Sequence, residues 1–79
     1  MFDYSKLNGR IVEKFGTRGA FASLMQVSLA SVCKKLSGKN QWKQAEIAKA
    51  AMLLDISTSE IPAYFFTPKV QISEQKNGG

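Results

Sequence analysis

The sequence predicts an all-α fold: a compact bundle of about five short helices followed by an extended C-terminal segment. Apolar residues recur at helical spacing, as Leu7, Ile11 and Phe15 do every four residues. Turn residues such as Gly16 and Gly38 separate the short apolar segments. A chain of 79 residues is long enough for one small domain, whose stability must come from helix packing.

Capping residues set the bounds of the first two helices. Asp3 or Ser5 can cap the first helix, and Gly16 ends it. Thr17 can cap a second helix that runs from Arg18 to about Met25. Two short helices are therefore expected to follow each other closely at the N-terminus.

Three further helical segments follow. Ser28 can cap a third helix from Leu29 to Leu36. Trp42 opens a fourth segment, roughly residues 41–54, which is rich in good helix formers. A short fifth helix begins near Thr58, since Pro62 is tolerated only in a first turn.

The spacing changes near the C-terminus, where apolar and polar residues alternate as in a strand. Residues 1–66 are thus expected to form the folded domain, and residues 67–79 an extended or disordered tail. A single strand needs a partner, so it docks on the helices or pairs with a second chain. We expect a homodimer at micromolar concentration, with an interface that includes Tyr64, Phe65, Phe66, Val70 and Ile72.

Composition argues against several function classes. With one cysteine, Cys33, and no histidine, neither an internal disulfide nor a zinc site is expected. Paired carboxylates and a glycine-rich phosphate loop are also missing from the sequence, so we expect no enzyme, no metal and no cofactor. No apolar stretch approaches the roughly 20 residues of a membrane helix, and the N-terminus is unlike a signal peptide. We therefore expect a cytoplasmic protein.

Charge is distributed unevenly along the chain. Eleven basic and six acidic residues give a net charge of +5. No acidic residue lies between Glu13 and Glu46, and six basic residues occupy this interval: Lys14, Arg18, Lys34, Lys35, Lys39 and Lys43. Such a bias suits a polyanion such as DNA.

The second and third helices have the pattern of a helix-turn-helix. A three-residue break joins them, and the small Ala22 allows a close helix crossing. Phe21, Met25, Val27 and Val32 fill the space between the helices. With Ser28, Leu36 and Gly38, these residues resemble the Cro/cI-type (XRE-like) helix-turn-helix family. The opening FDYSKLNGRI and closing YFFTPKVQ extend the resemblance, over about residues 1–72, to small phage and prophage regulators of Gram-positive hosts.

The resemblance implies a Cro-like repressor that binds double-stranded operator DNA. Arg18 would contact a phosphate, Ser28 would cap the recognition helix, and residues after that helix would contact the DNA backbone. The implied DNA-binding residues are Arg18, Ser28, Leu29, Ala30, Ser31, Lys34, Lys35, Lys39, Asn40 and Lys43.

Two departures from the family pattern support an alternative function. Gln26 stands where the turn usually has glycine, so the turn is a candidate for reshaping. Leu29 and Ala30 stand where the family often has polar residues that read base edges. The alternative is an antirepressor or modulator that binds a phage repressor protein through Val27, Leu29, Ala30 and Cys33.

Overall fold

The structure, a computed structural model, describes residues 2–68. Five α-helices lie in this range, α1 (Ser5–Phe15), α2 (Arg18–Met25), α3 (Leu29–Leu36), α4 (Gln44–Leu53) and α5 (Ile61–Phe65), with a 3-10 turn at Thr58–Glu60. The predicted all-α bundle of short helices is therefore confirmed. None of these five helices is long and apolar enough to cross a lipid bilayer.

The predicted capping residues of α2 and α3 act at the starts of these helices, whereas the N-cap position of α1 is Tyr4, which makes no side-chain capping bond. The hydroxyls of Thr17 and Ser28 each accept a backbone N–H bond of 3.1 Å from the third residue of α2 and α3, respectively. The Asp3 carboxylate accepts the backbone N–H of Ser5 at 2.8 Å. Gly16 follows α1 with φ 84°, a left-handed conformation that favours glycine.

The fourth helix begins later than the sequence predicted. It starts at Gln44, and Trp42 lies in the preceding loop instead of opening the helix. Two contacts account for this. The Glu46 carboxylate accepts the backbone N–H of Lys43 at 2.9 Å and so caps the helix. The Trp42 ring meets Phe65 edge to face, with centroids 5.2 Å apart.

The core lies where α1 and α4 meet the α2–α3 pair and α5. Helix α1 packs on α2, α3 and α5, and α4 packs on α2 and α5. The largest side chains that are fully buried come from five different parts of the chain: Phe21, Phe65, Leu7, Ile11, Leu54 and Val32. Apolar residues at helical spacing thus build one shared core.

The extended segment after α5 pairs with the N-terminus. The sequence predicted that it docks on the helices or pairs with a second chain, but Pro68 forms an antiparallel bridge with Phe2 of the same chain. The backbone N–H of Asp3 donates to the Thr67 carbonyl at 2.7 Å. Val70 and Ile72 lie outside the described residues.

Candidate functional site

The α2–α3 connection keeps the geometry of a tight turn. Gln26 adopts the left-handed conformation, with φ 64° and ψ 39°, that glycine usually supplies. The next residue, Val27, donates its backbone N–H to the Ala22 carbonyl at 3.1 Å. The glutamine is therefore accommodated in place, and the turn is not reshaped around it.

The leading end of α3 is apolar and uncharged. Leu29, its first residue, is 50% exposed, Ala30 is exposed, and Val27 is half-buried beside them. We call these three residues the apolar tip. No charged residue lies between Arg18 and Lys34 in the sequence, so α3 begins without charge. The hydroxyl of Ser28 accepts the N–H of Ser31, and this bond fixes the first turn of α3.

One exposed apolar residue of the α2–α3 unit was missed by the sequence reasoning. Leu24 lies in the last turn of α2 and is 47% exposed. Its neighbours Phe21 and Met25 form the buried face of this helix. Leu24 lies off the buried face of α2 in the helical spacing of the sequence, and this spacing could have indicated that its side chain points outward.

Arg18 and Cys33 come together at the flank of α3. The guanidinium of Arg18 donates from Nε to Asn8 Oδ1 at 2.8 Å, and its Nη1 lies 3.8 Å from the Cys33 sulfur. All three residues line a polar cleft of about 510 Å³ between α1 and α3. Arg18 remains exposed, but Asn8 of α1, which the sequence did not single out, orients it. Within residues 2–68, no cluster of acidic, cysteine or histidine side chains could hold a metal ion.

Lys35 does not belong to the exposed face of α3, contrary to the sequence prediction. It is 8% exposed, and its Nζ lies 3.3 Å from Oε1 of Glu46. Val32, one turn earlier, is also buried, so both residues lie on the inner face of α3. The lysine packs its aliphatic stem inside and places its ammonium against the carboxylate.

Glu46 carries a negative charge in a partly buried position. Burial by itself would raise the pKa of its carboxyl, but the hydrogen bond from the Lys43 backbone and the contact with Lys35 outweigh it. The pKa of Glu46 is therefore below its ordinary value. The negative charge that neutralises Lys35 is thus stabilised by the same contacts that cap α4.

The exposed cations concentrate toward the trailing end of α3. Lys34, Lys39 and Lys43 are exposed, as is Asn40. The backbone N–H groups of Lys39 and Asn40 donate to the Lys34 carbonyl at 2.9 and 3.2 Å, so this loop wraps around the end of the helix. Cations are favoured there by the helix dipole. The surface of α3 therefore divides into an uncharged leading end and a cationic trailing end.

The residues predicted for a dimer interface occupy different environments. Phe65 is 1% exposed and belongs to the core, so its prediction as an interface residue is wrong. Tyr64 is half-buried beneath Lys6, whose Nζ lies 4.8 Å from the ring centroid. Phe66 is exposed beside Phe2. Of the predicted interface residues that the structure describes, Phe66 alone presents a large exposed ring.

Comparison with known proteins identifies the family. The chain is similar to the solution structure of the modulator of repression (MOR) of the temperate bacteriophage TP901-1 from Lactococcus lactis. The two share 46% sequence identity with a TM-score of 0.74, and the match covers 89% of this chain and 95% of that chain. No curated protein matches the chain significantly. Assignment of the α2–α3 unit to the Cro/cI type stays a prediction. The family model described as "Protein of unknown function (DUF739)" matches residues 1–68, and the chain belongs to this family.

Proposed function

We propose that the chain modulates phage-type repression by binding a repressor protein through its apolar tip. The observation that carries this proposal is the 50% exposure of Leu29 at the start of α3, within a stretch of sequence that has no charge. Similarity to a protein named modulator of repression supports the same function. We propose that binding is its whole activity, without catalysis.

The physical argument rests on what Leu29 and Ala30 can contact. Neither side chain can form a hydrogen bond, so neither can read the donors and acceptors of base edges. Burying a leucine side chain against a partner contributes roughly 1.5–3 kcal/mol. Leu29 gains only part of this within the fold, because half of it stays exposed. An apolar centre with a polar surround is the usual composition of a protein–protein interface.

A second candidate function is Cro-like binding to operator DNA. The exposed cations Arg18, Lys34, Lys39 and Lys43 favour it, since lysine and arginine neutralise phosphates. Contacts of this kind give affinity and register without sequence information. The inward position of Lys35 removes one cation from the set that the sequence predicted for this role.

The test is a titration of the chain against the repressor encoded nearest to its gene, followed by fluorescence anisotropy of the labelled repressor. Leu29→Asp should abolish binding, because it places a charge at the centre of the apolar contact. Met52→Asp is the matched control, since Met52 of α4 is 72% exposed and lies outside the tip. Circular dichroism verifies that both variants are folded.

Two outcomes would contradict the proposal. One is equal repressor binding by the wild type and Leu29→Asp. The other is nanomolar binding of operator DNA by the wild-type chain alone in physiological salt, which would favour the DNA-binding function.

A further inference from the structure

Arg18, the first residue of α2, is exposed, but its guanidinium is held in place by two other helices. Asn8 of α1 accepts its Nε–H at 2.8 Å, and its Nη1 lies 3.8 Å from the sulfur of Cys33 in α3. A guanidinium has five N–H groups in a planar fork, and these contacts use donors on Nε and Nη1. Nη2 has no hydrogen-bond acceptor within residues 2–68. The side chain is therefore oriented by the fold and retains free donors.

The positive charge of Arg18 is not used in an ion pair of the described chain. None of the three ion pairs among residues 2–68 includes it. Asp3 lines the same polar cleft, but its Oδ1 accepts the backbone N–H and the hydroxyl of Ser5, at 2.8 and 2.6 Å. An arginine that is already oriented loses less conformational freedom when it binds an anion, so more of the contact energy remains as affinity.

Arg18 lies about one helical turn from the apolar tip along α3. Cys33, which its guanidinium contacts, comes four residues after Leu29, and residues four apart lie on the same face of an α-helix. Ala30 and Lys34 are related in the same way, and both are exposed. This side of α3 therefore changes from apolar to cationic within one turn. A protein surface that covers Leu29 also reaches the guanidinium of Arg18.

We propose that Arg18 pairs with a carboxylate of the repressor when Leu29 is buried in the complex, and that Asn8 positions the guanidinium for this contact. The pairing presupposes the proposed function, because it names the chemistry that the repressor brings to the same surface. An aspartate or glutamate beside an apolar socket fits this arrangement, since a carboxylate can accept two parallel N–H bonds from one arginine. A DNA phosphate would accept the same donors, but the neighbouring Leu29 and Ala30 offer no hydrogen bond to base edges.

The contact is measured by titrating variants against the labelled repressor, as for Leu29→Asp. Arg18→Ala should weaken binding by about tenfold or more, as expected for loss of a hydrogen bond between charged groups. Arg18→Lys should show most of the same loss, because lysine keeps the charge without the planar fork. Lys39→Ala is the matched control: it removes one exposed charge beyond the end of α3 and should weaken binding by less than about threefold. Thermal denaturation verifies that all variants are folded.

A double-mutant cycle tests the positioning role of Asn8. Asn8→Ala should weaken repressor binding by about threefold, mainly through faster dissociation, with little change in Tm. Added to Arg18→Ala, it should have no further effect, because the group that it positions is gone. An equal loss of affinity in both backgrounds would refute the positioning role.

The carboxylate on the repressor is identified by changing its aspartates and glutamates, one at a time, to the corresponding amides. One such change should match the loss in Arg18→Ala and should have no further effect against that variant. Absence of any such residue would overturn the pairing.

The outcomes separate this pairing from the proposed function. If the wild type binds the repressor and Leu29→Asp does not, but Arg18→Ala behaves like Lys39→Ala, the proposed function stands and the pairing is overturned. Absence of repressor binding by the wild type would overturn both. If Arg18→Ala loses affinity for operator DNA and keeps its affinity for the repressor, the guanidinium contacts a phosphate and the pairing is overturned.

Discussion

Lys35 of α3 and Glu46 of α4 form an ion pair, with 3.3 Å between Nζ and Oε1. The same Glu46 oxygen accepts the backbone N–H of Lys43 at 2.9 Å. One carboxylate therefore caps α4 and holds the inner lysine of the preceding helix. The helix that carries the apolar tip is attached to the rest of the bundle partly through this contact.

Glu46→Gln should lower the free energy of unfolding by about 3 kcal/mol, because it leaves the Lys35 ammonium enclosed without a counter-charge. Urea denaturation at neutral pH measures the change. Glu13→Gln is the control, since Glu13 pairs with Arg10 at the surface and should contribute less than about 1 kcal/mol. Adding Lys35→Met to Glu46→Gln should restore most of the stability. Equal losses of unfolding free energy in Glu46→Gln and Glu13→Gln would contradict the assignment of Lys35 and Glu46 as a buried ion pair.

The contribution of Glu46 to the free energy of unfolding should decrease as the pH falls. Its pKa is lowered in the folded protein, so the stabilisation is complete above the unfolded pKa, about 4.3 for glutamate. It is lost as the pH falls through the lower folded value. The stability difference between wild type and Glu46→Gln should therefore be largest near neutral pH and shrink in acid. Denaturation curves from pH 7 downward measure it, and a difference that grows in acid would refute the prediction.

Arg10→Met should destabilise the protein by roughly 1.5 kcal/mol, because Arg10 Nε donates to the Leu54 carbonyl at 2.9 Å, at the end of α4. A fall in Tm of several degrees is the expected readout. Lys14→Met is the control on the same helix, since Lys14 pairs with Asp55 at the surface and its loss should change little. A larger fall in Tm in Lys14→Met than in Arg10→Met would show that Arg10 is not the main contact between α1 and the end of α4.

Gln26→Gly should stabilise the α2–α3 turn by roughly 0.5 kcal/mol. Relief of left-handed strain at φ 64° exceeds the entropy that glycine adds to the unfolded chain. The hydrogen bond of 3.4 Å from Lys49 to the Gln26 side chain is exposed and should add little. Gly38→Ala, at φ 86°, should have the opposite sign. Thermal denaturation of both variants provides the test, and a less stable Gln26→Gly would contradict it.

Lys34→Ala and Lys35→Ala should separate electrostatic contact from packing. If the cations of α3 approach DNA, Lys34→Ala reduces the slope of log affinity against log salt by about 0.9 for each phosphate that is no longer neutralised. Lys35→Ala should lower the Tm, because it leaves Glu46 without its ion pair. Filter binding over a salt series and thermal denaturation measure the two effects. If Lys35→Ala reduced the slope of log affinity against log salt without changing the Tm, Lys35 would have to lie on the exposed face of α3.

The sequence by itself determined helices α1, α2 and α3, the caps at the starts of α2 and α3, and the connection between α2 and α3. These features depend on residues a few positions apart: Thr17 caps α2, Ser28 caps α3, and Gly16 ends α1. Hydrogen bonds and apolar spacing within one or two turns are visible directly in the order of residues. The apolar start of α3 could be recognised for the same reason.

Only the tertiary structure decided which side chains turn inward and which segments pair with each other. Lys35 is internal because Glu46, eleven residues later, supplies its counter-charge in an enclosed place. Phe65 joins the core because Trp42 leaves the expected helix and meets its ring. Phe2 and Pro68 pair because the fold brings the two ends of the described chain together. Such contacts follow from the packing of separate elements, which the local pattern of residues does not encode.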